Sequence, residues 1–450
     1  MKNFKKLICL IIAAAVLFAV SACGIVGKNA DKGDTSGSAS VQTPDNGGNS
    51  GESGEGNEQT VKTTVNLMDG ITAADVQTLA ADATFTSAYN GFATSLFKQL
   101  HKGENLLISP LSIEIALAMT SNGAKNKTLS EMETVLFGGA SRETFNAYYK
   151  SYVANLTGNE KVTINLANSI WVNAYRGDVD VKQAFLQTNA NYYNAAAYKA
   201  PFNNDTLADL NGWVKKETSG LIDKILDNLT PDEIMYLINA TSFDAEWASK
   251  FEAEYTSDGT FTFENGSTKQ MKMMPGKVFE YLENDFATGF IKRYYGNRYA
   301  FVAMLPKKGA TVAETVNKLD ASTIYSFFTG AKEYPTYIRV PKYKVEYEEE
   351  IIPALSALGM KDLFSPTACD LGDLAVSPAG NVYVDLVKHK TMIEVDEEGT
   401  KAAAVTIVGV RDGAAMPDPE TKYVYLDRPF VYFIVDTNTN TPLFMGTYEK

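Results

Sequence analysis

The segment VDLVKHKTMIEVDEEGTKAAAVT, Val384 to Thr406, decides how this chain is read. At its centre Glu397-Glu398-Gly399 is polar and flexible, and Gly399 is free to take backbone angles closed to other residues. The run that follows, Thr400 to Val408, divides by strand alternation, in which every second side chain shares a face. One face carries Thr400, Ala402, Ala404, Thr406 and Val408; the other carries Lys401, Ala403, Val405 and Ile407. The first face is uncharged and mostly small, so it could slip between two strands of a sheet and be covered by helices. The lone charge, Lys401, lies on the opposite face, where water can keep it. An ordinary exposed loop would be more polar and punctuated by Gly, Pro or Asn. Taken alone, the residues fit either an insertable strand or an Ala/Val-rich edge strand.

Outward from this segment the chain reads as globular from about Val61, without internal repeats. Helical spacing over Ser87–Leu100 puts Phe92, Leu96, Phe97 and Leu100 on one face, and Pro110 stands where a second helix begins. Strand-like runs cover Val162–Val172, Tyr299–Leu305, Tyr337–Val345 and Phe430–Val435. Helices come early and strands late, which predicts an α+β fold rather than a regular βαβ alternation. Five blocks then stand in order: NLLISPLSIEIALAMTSNGAKNKTLSEM (Asn105–Met132), NATSFDAEWASKF (Asn239–Phe251), VPKYKVEYEEEIIPALSALGMKDLF (Val340–Phe364), the opening segment, and DRPFVYFIVDTNTNTPLFMG (Asp427–Gly446). Together they resemble the signatures of the serpin family over residues 70 to 450. The resemblance implies one domain with three β-sheets, about nine helices and an exposed reactive-centre loop. That overrides the two or three domains which 450 residues would suggest.

The same resemblance implies roles. Glu397, Glu398, Gly399, Thr400, Lys401, Ala402, Ala403 and Ala404 match the hinge of the reactive loop. Ser109, Ser112, Asn239 and His389 match the polar shutter beneath the central strands, and Trp247 the aromatic at the breach where insertion starts. Family spacing puts the scissile bond near Gly413-Ala414, with Ala415 also a candidate and Arg411 the alternative. Small side chains there suit elastase-like or subtilisin-like proteases. The implied activity is suicide inhibition of serine proteases, with cysteine proteases a second class, by a monomer with no catalytic residue, cofactor or metal of its own. Two departures stand out: Lys401 replaces the acid many inhibitory relatives carry, and the stretch from Gly399 to Pro429 is long. One rival is a non-inhibitory serpin, disfavoured because Thr400–Ala404 holds no bulky or proline residue. The other is a solute-binding lipoprotein or tethered hydrolase, and no G-x-S-x-G elbow is present for the latter.

Composition narrows the field further. The net charge of -13, without a basic run, repels nucleic acid and heparin-like polyanions alike. Cys369 is alone in the body of the chain, and two histidines, His101 and His389, are too few for a His-based metal cluster. At the start, Lys2, Lys5 and Lys6 precede the apolar Leu7–Val20, the pattern of an export signal. It ends in Val20-Ser21-Ala22-Cys23, which resembles the lipobox of bacterial lipoproteins and implies lipidation at Cys23. The 37 residues from Gly24 to Thr60 read as a polar tether spanning roughly 30–36 Å. The expected organisation is a signal peptide (1–22), a lipidated cysteine and tether (23–60) and a serpin domain (61–450). It implies an extracytoplasmic protein held to a membrane through its lipid.

Overall fold

Two helices near the start of the domain show how local chemistry sets the frame. The first, α1 (Ala83–Leu100), opens one turn earlier than its apolar spacing predicts because Asp82 caps it. The Asp82 carboxylate accepts from the N–H groups of Thr84 and Phe85 at 2.9 and 3.0 Å, satisfying two donors the helix cannot. The second, α2 (Pro110–Ser121), starts on proline, and all twelve of its residues are buried. A helix apolar on every side belongs inside a core. It packs against two strands of the main sheet on one flank and the strand Thr441–Tyr448 on the other.

The computed structural model describes residues 63–156, 160–174, 179–378, 380–400 and 420–450. The signal peptide, Cys23, the tether, Lys401–Ala404, Arg411 and Gly413–Ala415 lie outside the described residues. Within them are nine α-helices and three sheets of seven, nine and two strands, an α+β fold as the sequence predicts. No described helix is long and apolar enough to cross a membrane.

The main sheet contains, in chain order, β1 (Val65–Asn66), β2 (Val162–Asn173), β3 (Ala196–Ala200), β4 (Met235–Glu246), β5 (Tyr343–Glu350), β6 (Leu386–Val395) and β7 (Gly399–Thr400). Across the sheet they run β1-β3-β2-β4-β7-β6-β5. The outer strand β1 covers the edge of β3, and the chain after it is strapped down by Leu67, Ile71 and Leu79, which pack on the core. At the centre, β4 and β6 are parallel neighbours from Tyr236↔Leu386 to Ser242↔Met392. Above that point they part, and β7 occupies the fork. Gly399 and Thr400 pair with Glu246 and Ala245 of β4, while Thr400 also pairs with Val395 of β6.

One expectation needs correction. Tyr337–Val345 is not a single strand: Lys332–Pro341 belongs to the nine-stranded sheet and Tyr343–Glu350 to the main sheet. Pro341 has no N–H to extend a ladder, so the strand stops there. Lys342 instead donates its N–H to the Lys272 carbonyl at 2.8 Å as the chain changes sheets. The alternation slips by one residue at the crossing, from buried Thr336, Ile338 and Val340 to buried Pro341, Tyr343 and Val345, a shift that a run of mostly apolar residues hides.

Candidate functional site

Between β6 and β7 the chain reverses within three residues. Asp396 makes the turn: its carboxylate accepts from the N–H groups of Glu398 and Gly399 at 2.9 and 3.1 Å. Three further bonds fasten it to the end of β4. The N–H of Trp247 donates to the Glu398 carbonyl (2.9 Å), that of Phe251 to the Glu397 carbonyl (3.0 Å), and the Trp247 indole to the Asp396 carbonyl (2.9 Å). Ion pairs flank the turn, Lys342 with Glu397 and Lys250 with Glu398, both at 2.5 Å. Burial works to raise the Glu397 carboxyl, but the Lys342 ammonium and the hydrogen bonds the carboxylate accepts together hold the group below its usual range.

The reason for glycine at 399 differs from the expected one. Gly399 is absent from the residues with positive φ. What it needs is room, since a Cβ would lie 2.0 Å from the Ala245 carbonyl oxygen. Next to it Thr400 is fully buried, its hydroxyl 2.5 Å from that of Tyr294. Tyr294 in turn stacks on Trp247, with ring centroids 4.4 Å apart and planes at 11°. The structure thus brings Trp247, Glu397, Glu398, Gly399 and Thr400 together at the mouth of the fork.

Lys292, beneath this mouth, was not selected from the sequence. Its ammonium donates to the Ser249 carbonyl at 2.6 Å and faces the rings of Phe251 and Trp247 at 4.1 and 5.1 Å. Burial pulls its pKa from 10.5 down to about 7. Between those values the unfolded chain binds the extra proton, so this group's stabilising contribution is full above 10.5 and is lost as pH falls through about 7. We expect Lys292→Met to flatten the dependence of the thermal midpoint on pH over that window and to raise the midpoint at neutral pH. In wild type the group adds up to about 1.4 kcal/mol per pH unit. Parallel pH profiles for the two proteins would rule the assignment out.

Below the fork, where β4 and β6 are paired, one polar row crosses the sheet. Register places Asn168 of β2 beside Asn239 of β4, and Asn239 beside His389 of β6. The Ser109 N–H, at the cap of α2, donates to His389 Nε2 at 3.2 Å. The other ring nitrogen, Nδ1, therefore carries the proton and donates to Asn239 Oδ1. Asn239 Nδ2 donates to both Ser112 Oγ and Asn168 Oδ1, and the Ser112 hydroxyl closes the triangle on Asn168 Oδ1 at 3.1 Å. Burial lowers His389 to about 3, so the ring is neutral. All four residues selected from the sequence meet here, joined by Asn168, which was missed. The row sits directly across the β4–β6 seam, and its groups can exchange partners if those strands separate.

Known proteins carry the same architecture. The family profile described as serpin (serine protease inhibitor) matches residues 87–450. An uncharacterized serpin-like protein of Thermococcus kodakarensis is 31% identical over 83% of this chain and 88% of its own. A leukocyte elastase inhibitor of Xenopus laevis is 29% identical over 81% and 99% respectively. Among solved structures, the thermophilic serpin tengpin in its native state superposes with a TM-score of 0.82 at 41% identity, covering 86% of this chain and all of that one. Tengpin in its latent state gives 0.74 at 38% identity.

Proposed function

The chain belongs to the serpin family, and from that premise we propose that it inhibits proteases as a suicide substrate whose cut loop inserts between β4 and β6. The observation carrying this reading is Gly399–Thr400 already paired to both strands at the mouth of the fork. In the proposed sequence, the protease nucleophile attacks the carbonyl of the scissile residue and forms an acyl-enzyme, and the new amino terminus leaves. Residues from 401 onward then follow Thr400 into the sheet. Each ladder hydrogen bond is worth about 0.5–1.5 kcal/mol net, and apolar burial adds to it. The protease is dragged along the sheet before water can release it.

Family spacing counted from Glu397 favours a cut near Gly413-Ala414. Residues 401 to 413 make 13 residues, about 43 Å when extended. The fork they would fill is bounded by the ten residues of β4 below Ala245, Met235–Asp244, because Gly399 and Thr400 already pair with Glu246 and Ala245. A cut after Arg411 would leave eleven residues, enough to span the same ten, but Asp412 behind it suits few trypsin-like pockets. We therefore propose a serine protease with a shallow pocket, elastase-like or subtilisin-like, as the target. Ser109, Ser112, Asn239 and His389 would act as the shutter that yields during insertion, and Trp247 as the breach.

The test is incubation with an elastase and with subtilisin. We expect a complex that survives denaturing electrophoresis and a released C-terminal fragment beginning at Ala414 or Ala415. Cleavage of the loop without any such complex would favour the non-inhibitory alternative. A fragment beginning at Asp412 would move the cut to Arg411.

For location we propose a monomer anchored outside the cytoplasm by lipid on Cys23, within a Val-Ser-Ala-Cys sequence. Two acyl chains exceed the marginal hold of one, at about 0.8 kcal/mol per buried CH₂. Cys23→Ala should shift the protein from the membrane fraction to the soluble one. A native mature chain starting elsewhere, without lipid, would remove the anchor from this account.

A further inference from the structure

The nine-stranded sheet ends in an outward face with an unusual composition. The strands Thr268–Glu283, Lys332–Pro341 and Lys422–Tyr425 lie side by side, the last at the edge. Register lines Lys277, Tyr337 and Tyr423 in one row across them, with Arg339 beside Tyr425 in the next. Phe279, two residues beyond Lys277, shares its face. Inward-facing Thr336, Ile338, Val340 and Val424 are buried, whereas Phe279, Tyr337 and Tyr423 are 54%, 44% and 62% exposed.

These side chains organise one another. The rings of Tyr337 and Tyr423 stack at 5.7 Å and 17°. The Lys277 ammonium stands 5.3 Å from Phe279 and 5.6 Å from Tyr337, and the Arg339 guanidinium 4.5 Å over Tyr425. Six residues thus present four rings and two cations, with no carboxylate among them, on a chain whose net charge is -13. Exposed aromatic and Arg groups held in fixed positions are the composition of protein interfaces.

Chain connection says what reaches this face. From Gly413 to Tyr423 there are ten residues, at most about 35 Å of extended chain. A protease of some 250 residues is about 45 Å across, by the usual size scaling. Seated on a cut near Gly413, its body is within reach of the strand that begins at Lys422.

We propose that this face docks the body of the target protease beside its cleft, selecting an enzyme with a carboxylate-rich, partly apolar rim. The proposal rests on the inhibitory reading for its partner but not for its measurement. Fixed cations opposite carboxylates speed encounter and give it a salt dependence.

The experiment uses the full chain and two elastases of like cleft, one anionic and one cationic. Each is taken in active form and as the anhydro form, whose nucleophile has been removed. The charge-reversed variant Lys277→Glu/Arg339→Glu and the ring variant Tyr337→Ser/Tyr423→Ser change exposed side chains only, and circular dichroism checks their fold. We expect charge reversal to weaken binding of the anhydro anionic enzyme 10- to 100-fold and to flatten its salt dependence. The cationic enzyme should change less than twofold. The ring variant should weaken the anionic enzyme at all salt concentrations. Equal effects on both enzymes, or none, would overturn the proposal, as would a wild-type preference for the cationic enzyme. Glycan binding lost in the ring variant while protease binding stays intact would overturn it too. If the anhydro anionic enzyme binds through this face while the active one forms no stable complex, the docking surface stands and the inhibitory reading fails.

Discussion

If the chain inhibits as proposed, Thr400→Arg is expected to turn it from inhibitor into substrate. Thr400 is fully buried between β4 and β6, with the Tyr294 hydroxyl 2.5 Å away. Arginine there would need a charge to enter a site with no carboxylate partner, at a cost of several kcal/mol even after relaxation. The short β7 should withdraw, while β4 and β6 remain paired below it from Leu386 to Met392. Insertion then starts later and races deacylation from behind. A barrier higher by only about 1.4 kcal/mol slows it tenfold. The number of inhibitor molecules consumed per protease should therefore rise at least about tenfold, and cut chain should replace covalent complex on a gel. Wild-type stoichiometry in a folded variant would show that Thr400 does not lead the insertion.

His389→Ala should produce the largest loss of stability. The ring is fully buried and accepts from the Ser109 N–H while donating to Asn239. Its removal orphans one donor and one acceptor, at about 1–3 kcal/mol each, and leaves a cavity. Together these predict a loss on the order of 3–5 kcal/mol in unfolding free energy, read as a lower urea midpoint. Hydrogen exchange should speed at Leu386–Met392, where β4 and β6 meet. Acid adds a second signature. Burial lowers His389 to about 3 from 6.5, so its contribution is complete above 6.5 and is lost as pH falls towards 3. The variant should lack that share of acid sensitivity. An unfolding free energy within about 0.5 kcal/mol of wild type would mean that the row does not hold the seam.

Much of the fold was legible because the five blocks stand in order, and each is a local pattern. The fork was less so. Alternation placed Thr400 on an uncharged face, yet only the register shows it seated beside Ala245 and Val395. Asn168 hides within LANSIWV, where one amide among apolar neighbours gives no sign that it faces Asn239. Lys292 is hidden for the opposite reason: beside Arg293 it reads as a solvated charge, but the strand's alternation turns it inward. Gly399 was marked, though for backbone freedom rather than for the carbonyl it must pass. Each of these depends on a neighbour distant in sequence, which no window of residues contains.

The two residues of β7 also bear on speed. Extending an ordered segment is easy compared with starting one, because the first contacts fix many torsions for few bonds, and each later residue brings its own. A free loop would have to find the fork by diffusion and hold there against its own entropy. Under the proposed insertion the fork is met with its first rung in place, so the slow nucleating event would lie behind the protein before any protease arrives. What remains is propagation, a zipper whose closing time grows with the number of residues to be laid down. Under this kinetics a longer loop carries its cargo farther but loses time against hydrolysis. Loop length therefore sets a compromise between the two.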